Sequence, residues 1–175
     1  QELNPISPYA LSKYFGEELV RYYIKVHNLD GLILRPFSHT GIGQDEKFFF
    51  PYCCKRIAEI EKKKSIPVLE VGNLEVERDY LAVEDVVEAY YLALKYGKTG
   101  EIYNITSSKP IKLKDALDFL LKQTNIKIEV ITSKEKERKW DIYYLSGDNT
   151  KFKELTNFEP KFEIKETLLK ILNYY

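Results

Sequence analysis

Tyr9 and Lys13 stand four residues apart in the segment Ser7-Pro8-Tyr9-Ala10-Leu11-Ser12-Lys13. On a helix this spacing puts both side chains on one face. A tyrosine hydroxyl ordinarily titrates near pH ~10. An ammonium beside a phenol favours its anion. Such a pair can exchange a proton with a substrate hydroxyl or carbonyl while hydride moves to or from a nicotinamide. The spacing by itself is not diagnostic. Tyr91 and Lys95 repeat it within Tyr91-Leu92-Ala93-Leu94-Lys95 and read as ordinary helix surface and core.

Few other residues offer chemistry. Cys53 and Cys54 are adjacent, which fits disulfide geometry poorly, and no spaced Cys/His cluster suggests zinc. The only histidines are His27 and His39. Formal net charge is +0 over 175 residues, which argues against bulk attraction to nucleic acid or membrane. A composition 44% hydrophobic and 31% charged describes a soluble globular chain. No apolar run reaches the roughly 20 residues of a membrane span. The cysteine usage points to a reducing cytoplasm. The sequence contains no methionine, so Gln1 is not an initiator.

The elements that must position these residues alternate between helix and strand. Pro8 suits a first helical turn behind Ser7 as N-cap. The helix runs to about Val26, with Leu11, Phe15, Leu19, Tyr22 and Tyr23 on one face. A turn at 28–31 leads into the buried strand Leu32, Ile33, Leu34. A loop is expected over 36–45, a helix over 48–63 and strands over 67–71 and 79–83. A helix over 84–96 is ended by Gly97. Then come a strand at 102–105, a helix at 113–122 and a strand at 126–131. Helices near 149–155 and 164–174 complete the pattern. The alternation predicts an α/β architecture with at least part of a parallel sheet.

The string NPISPYALSKYFGEEL resembles the active-site helix of extended short-chain dehydrogenases/reductases, the NAD-dependent epimerase/dehydratase family. Residues 35–44 (RPFSHTGIGQ) resemble the loop after the next strand. Residues 71–79 (VGNLEVERD) and 83–89 (VEDVVEA) are similar to segments of its GDP-mannose branch. GKTGEIYN at 97–104 and TNFEPKF before the last helix also fit, so the resemblance covers essentially the whole chain in order. His39-Thr-Gly-Ile-Gly-Gln44 resembles the reductases of that branch. The dehydratases usually continue the histidine with Glu-Ser-Pro and an arginine pair.

The resemblance implies the C-terminal part of a Rossmann-like doubly wound parallel sheet plus a smaller α/β substrate-binding domain. Residues 1–35 would end the dinucleotide-binding domain. Residues 36–175 would be mostly substrate-binding, with 79–106 returning to the sheet. By resemblance, Tyr9 is the acid/base and Lys13 its partner and a cofactor ligand. Pro36 and His39 lie against NADP or NAD. Ser38 stands where the family usually has asparagine facing sugar or phosphate. Arg78 approaches the nucleotide diphosphate. Arg138 and Asp141 match a family Arg-Pro-x-Glu element for diphosphate and ribose, with Lys139 and Asp141 replacing its proline and glutamate.

The implied reaction is reduction of the 4-keto group of a GDP-linked deoxy-hexose. The alternatives are a dehydratase or epimerase of the same family, or a non-catalytic domain binding a nucleotide-sugar or a partner. The implied partners are a GDP-sugar and a second copy, not nucleic acid or membrane. No G-x-x-G-x-x-G or G-x-G-x-x-G phosphate loop occurs in these residues. The expectation is a C-terminal portion of a longer enzyme, with little activity alone.

Overall fold

A computed structural model describes residues 3–136 and 141–175. The first element, α1 (Pro8–His27), begins as the sequence predicts. Ser7 Oγ accepts a hydrogen bond from the Ala10 N–H at 3.1 Å, and Pro8 opens the first turn. Asn28 ends the helix in the left-handed region at φ 53°, donating its N–H to the Tyr23 carbonyl. None of the α1 residues is buried. Its apolar row of Leu11, Phe15, Leu19, Tyr22 and Tyr23 is exposed, and Val26 with it.

Two strands follow with Phe37 alone between them: β1 (Ile33–Pro36) and β2 (Ser38–Thr40). β2 falls inside the expected loop. Its three residues carry no apolar alternation, and pairing with a distant strand makes them extended. The chain continues through α2 (Phe49–Glu61), β3 (Val68–Val71), β4 (Glu77–Ala82), α3 (Val83–Tyr96) and β5 (Ile102–Ile105). Next are β6 (Pro110–Lys112), α4 (Leu113–Leu121), β7 (Glu129–Thr132) and a single 3-10 turn at Lys134–Lys136. The last elements are β8 (Tyr144–Leu145), α5 (Thr150–Thr156) and α6 (Ile164–Tyr174). Strands β6 and β8 were not foreseen. They are three and two residues long, too short to show a period of two.

Gly97 caps α3 in an extended conformation, its N–H bonded to the Ala93 carbonyl, and the space there admits only glycine. A Cβ there would lie 2.4 Å from the Ala93 carbonyl oxygen and 2.2 Å from Leu32 Cδ2.

Among the described residues the strands pair in three groups. β1 runs parallel to β5, with Ile33 opposite Ile102 and Pro36 opposite Ile105. β3 runs parallel to β7. β4 is shared: parallel to β2 along residues 80–82, antiparallel to β6 and parallel to β8; since residues 77 and 78 pair with both β6 and β8, those two lie on opposite edges of β4.

Two apolar cores form. One joins Phe50, Cys53, Cys54 and Ile57 of α2 to Leu69 and Val71 of β3, Leu117 and Leu120 of α4, and Leu168 and Ile171 of α6. The other joins Val86, Ala89 and Ala93 of α3 to Leu81, Tyr103, Ile105, Phe152 and Phe158. Burial of these side chains supplies the main driving force for folding. It also fixes β4, through Leu81 in the second core and Tyr80 packed against the first.

No helix among the described residues is long and apolar enough to cross a membrane. No group of three or more His, Cys, Asp or Glu able to hold a metal occurs among them.

Candidate functional site

Tyr9 and Lys13 lie one turn apart near the start of α1, and the Lys13 ammonium is 5.6 Å from the Tyr9 ring centroid. Tyr9 is 72% exposed, so its ring is not part of an apolar core. The Ser12 hydroxyl donates to the Tyr9 carbonyl at 2.8 Å, a local bond that leaves the phenol untouched.

The helix carrying this pair is fastened to β1 by an ion pair. Arg35 donates from Nε to Glu17 Oε1 at 2.8 Å and from Nη2 to Glu17 Oε2 at 2.5 Å. The fork geometry is the strong, directional form of an arginine–carboxylate contact. Bonding to Glu17 raises the Arg35 guanidinium above its usual pKa, against a smaller opposing effect of burial. Sequence reasoning missed this contact. The available signal was that Glu17 lies four residues beyond Lys13, on the same side of the helix.

Beyond Arg35, the chain passes Pro36 at the end of β1 and enters β2. His39 sits there half-buried, its Nδ1 3.0 Å from the Phe37 carbonyl oxygen. A carbonyl only accepts, so Nδ1 carries the proton, and in the neutral ring Nε2 is an acceptor. The His39 carbonyl accepts from Gln44 Nε2 at 3.2 Å, and Thr40 Oγ1 donates to Gln44 Oε1 at 2.7 Å. These bonds fold the 41–44 turn back onto β2.

Ser38, Arg78 and Asp141 share a cavity of about 460 Å³. Its walls come from β2, β3, β4 and the start of α2. Ser38 pairs with Tyr80 across the β2–β4 ladder, and both line the cavity. Arg78 is 8% exposed. It donates to the Glu77 carbonyl at 2.9 Å and, through Nη2, to Asp141 Oδ1 at 2.5 Å. Two of its five N–H donors therefore meet described partners. The resemblance gave Arg78 to a diphosphate and Asp141 to a ribose; here the two bond each other. Arg138, the expected second arginine, lies outside the described residues. Tyr9, Lys13, Pro36 and His39 do not line this cavity.

Asp79, next to Arg78 in the sequence, was not among the expected site residues. It is fully buried and organises the back of the site. Its Oδ1 accepts from the Ser107 N–H at 2.9 Å and the Ser107 hydroxyl at 2.7 Å. Its Oδ2 accepts from the Thr106 hydroxyl, from the Ser108 N–H at 2.9 Å and from the Gly147 N–H at 3.3 Å. A buried carboxylate is tolerable when its oxygens are satisfied this fully. Gly147 has to be glycine for this approach, because a Cβ would lie 2.7 Å from the Phe37 ring.

A sequence model of the GDP-mannose 4,6 dehydratase family matches residues 1–171. The chain belongs to that family. It is 29% identical to GDP-6-deoxy-D-mannose reductase from Pseudomonas aeruginosa, over 97% of this chain and 56% of the relative. The solved structure of RMD from Pseudomonas aeruginosa complexed with NADPH superimposes with a TM-score of 0.92 at 29% identity, covering 99% of this chain and 57% of that one. A UDP-glucose 4-epimerase from Thermotoga maritima, solved with UDP-glucose, gives 0.81 at 28% identity, covering 98% and 54%. The chain thus spans little more than half the length of these proteins. Its α/β fold is the Rossmann-like one that the resemblance implied.

Proposed function

We propose that the complete protein is a nicotinamide-dependent oxidoreductase of nucleoside-diphosphate sugars, reducing the 4-keto group of a GDP-linked deoxy-hexose. One observation carries this reading. A single stretch of backbone, β1 then β2, passes from Arg35, which holds the Tyr9–Lys13 helix, to Ser38 in the Arg78 cavity. In this reading that stretch sets proton donor and substrate pocket in fixed relation. The P. aeruginosa GDP-6-deoxy-D-mannose reductase supports the choice of reduction.

In this reading Tyr9 donates its hydroxyl proton to the carbonyl oxygen as the alcohol forms. Lys13 lies beside the ring on the same helix face, its ammonium 5.6 Å from the ring centroid. Both side chains are exposed on one helix face, which fits a dinucleotide laid along it. When bound, reduced NADP or NAD supplies hydride to the carbonyl carbon. Pro36 and His39 would border that cofactor. Arg78, with Ser38 and Asp141, would hold the substrate's diphosphate and ribose, and Arg138 would add a second guanidinium. Residues 1–35 would close the cofactor-binding half, and most of 36–175 would form the substrate half. The exposed apolar row on α1 supports a homodimer. Buried free Cys53 and Cys54 are in keeping with a cytoplasmic protein.

The test is ligand binding to the complete protein. A GDP-sugar should raise its melting temperature, since a ligand of the folded state stabilises it. Arg78→Ala should weaken GDP-sugar binding much more than dinucleotide binding. Equal loss of both ligands, or no GDP-sugar binding at all, would remove Arg78 from the substrate site. The product of a keto-sugar incubation separates reduction from dehydration or epimerisation.

A further inference from the structure

The cavity that holds Arg78 has a second polar group, which neither the resemblance nor the relatives assign. Glu70 projects from β3, exposed between buried Leu69 and Val71, and lines the cavity. Lys136 reaches it from the 3-10 turn after β7. Its ammonium donates to the Glu70 carbonyl at 3.0 Å and to the Tyr52 hydroxyl at 3.0 Å. It lies 3.8 Å from Glu70 Oε2 and 4.5 Å from the Tyr52 ring centroid. Three elements distant in sequence thus place one ammonium beside one carboxylate at the cavity wall. The connection from β3 to Arg78 lines the same cavity through Gly72, Asn73 and Val76.

A carboxylate next to an ammonium offers two acceptors and a donor side by side. The edge of guanine presents the complement: the O6 acceptor, then the N1–H and N2–H donors. Uracil and thymine carry a carbonyl on each side of their one N–H, so a carbonyl would face the second carboxylate oxygen. The edge of adenine pairs an amine with a bare ring nitrogen, which meets an ammonium and a carboxylate in the wrong order. From this pattern we infer that Glu70 and Lys136 read the base of the nucleotide-sugar and select guanine. Glu70 accepts from N1–H and N2–H, and Lys136 donates to O6. The inference rests on the nucleotide-sugar reading above and deepens it.

Calorimetric titration of the complete protein with GDP, IDP and UDP tests it. Hypoxanthine keeps O6 and N1–H but lacks the 2-amino group. A hydrogen bond to a charged group is worth enough that IDP should bind roughly 10- to 100-fold more weakly than GDP. Glu70→Gln should bring GDP down to the level of IDP while leaving UDP unchanged. Lys136→Gln should weaken GDP and IDP together and preserve the ratio between them. Glu70 is on the surface, so its replacement leaves the core intact, and the comparison of GDP with IDP needs no variant. Equal binding of GDP, IDP and UDP would overturn the base reading and leave the nucleotide-sugar site standing. Undiminished preference for GDP in Glu70→Gln would also overturn it. Failure of all three diphosphates to bind would overturn the site as well as its selectivity.

Discussion

Glu17 and Arg35 meet across 18 residues of sequence in a two-pronged ion pair, at 2.8 and 2.5 Å, that joins α1 to β1. Among the described residues α1 has no buried side chain, so this contact is a principal side-chain link between the Tyr9–Lys13 helix and the strand beneath it.

Glu17→Gln should loosen that link. The variant is expected to lose about 1–3 kcal/mol of stability, because a partly buried guanidinium is left without its carboxylate. Urea unfolding of wild type and variant measures the difference. Arg35→Lys keeps the charge but not the fork, and should recover only part of it. Equal midpoints for all three proteins would show that the pair contributes nothing to stability.

Tyr9→Phe removes the hydroxyl and keeps the ring. In the complete enzyme turnover should fall by roughly 100-fold or more, the usual worth of a positioned proton donor. Dinucleotide affinity should hardly change, since Lys13 and the ring remain. Steady-state kinetics together with a dinucleotide titration separate the two quantities. Unaltered turnover would take Tyr9 out of the reaction.

Asp85 gives a pH-dependence of defined sign. Burial raises its carboxyl above the ordinary value of 3.8, outweighing hydrogen bonds from the Lys161 and Phe162 N–H groups. The folded state therefore holds this proton more tightly than the unfolded chain. The stability contributed is present below the unfolded value and is lost as pH rises through the folded one. Asp85→Asn should make stability decline less as pH rises above the ordinary carboxyl value. The amide also gives up one acceptor at every pH, so the slopes of the two proteins are compared rather than the absolute values. Parallel slopes would count against the assignment.

Cys53 and Cys54 are free and buried. Desolvation pushes both thiols up, Cys54 to about 12. The thiolate is the reactive form, so neither should react with a thiol reagent in the folded protein at neutral pH. Both should react once urea unfolds the chain. Rapid labelling under native conditions would contradict the packing of α2 against α6.

The sequence by itself determined the order of the helices and of the longer strands, the start of α1 and the family. These depend on local signals: an N-cap serine before a proline, apolar periodicity, and a string of residues contiguous in the chain. Tyr9 and Lys13 were legible for the same reason, being one helical turn apart. What the tertiary structure decided is everything that needs two distant segments. Asp79 gathers residues 106–108 and 147. Arg78 finds Asp141, 63 residues away. Lys136 comes to rest on Tyr52 and Glu70. A side chain's sequence neighbours do not specify its partner, because hydrogen bonds and ion pairs act over a few ångströms of space. The strand pairing and the two cores must form before those groups are within reach. The same reason explains the short strands: β2, β6 and β8 owe their extended shape to β4, the strand they share, more than to their own residues.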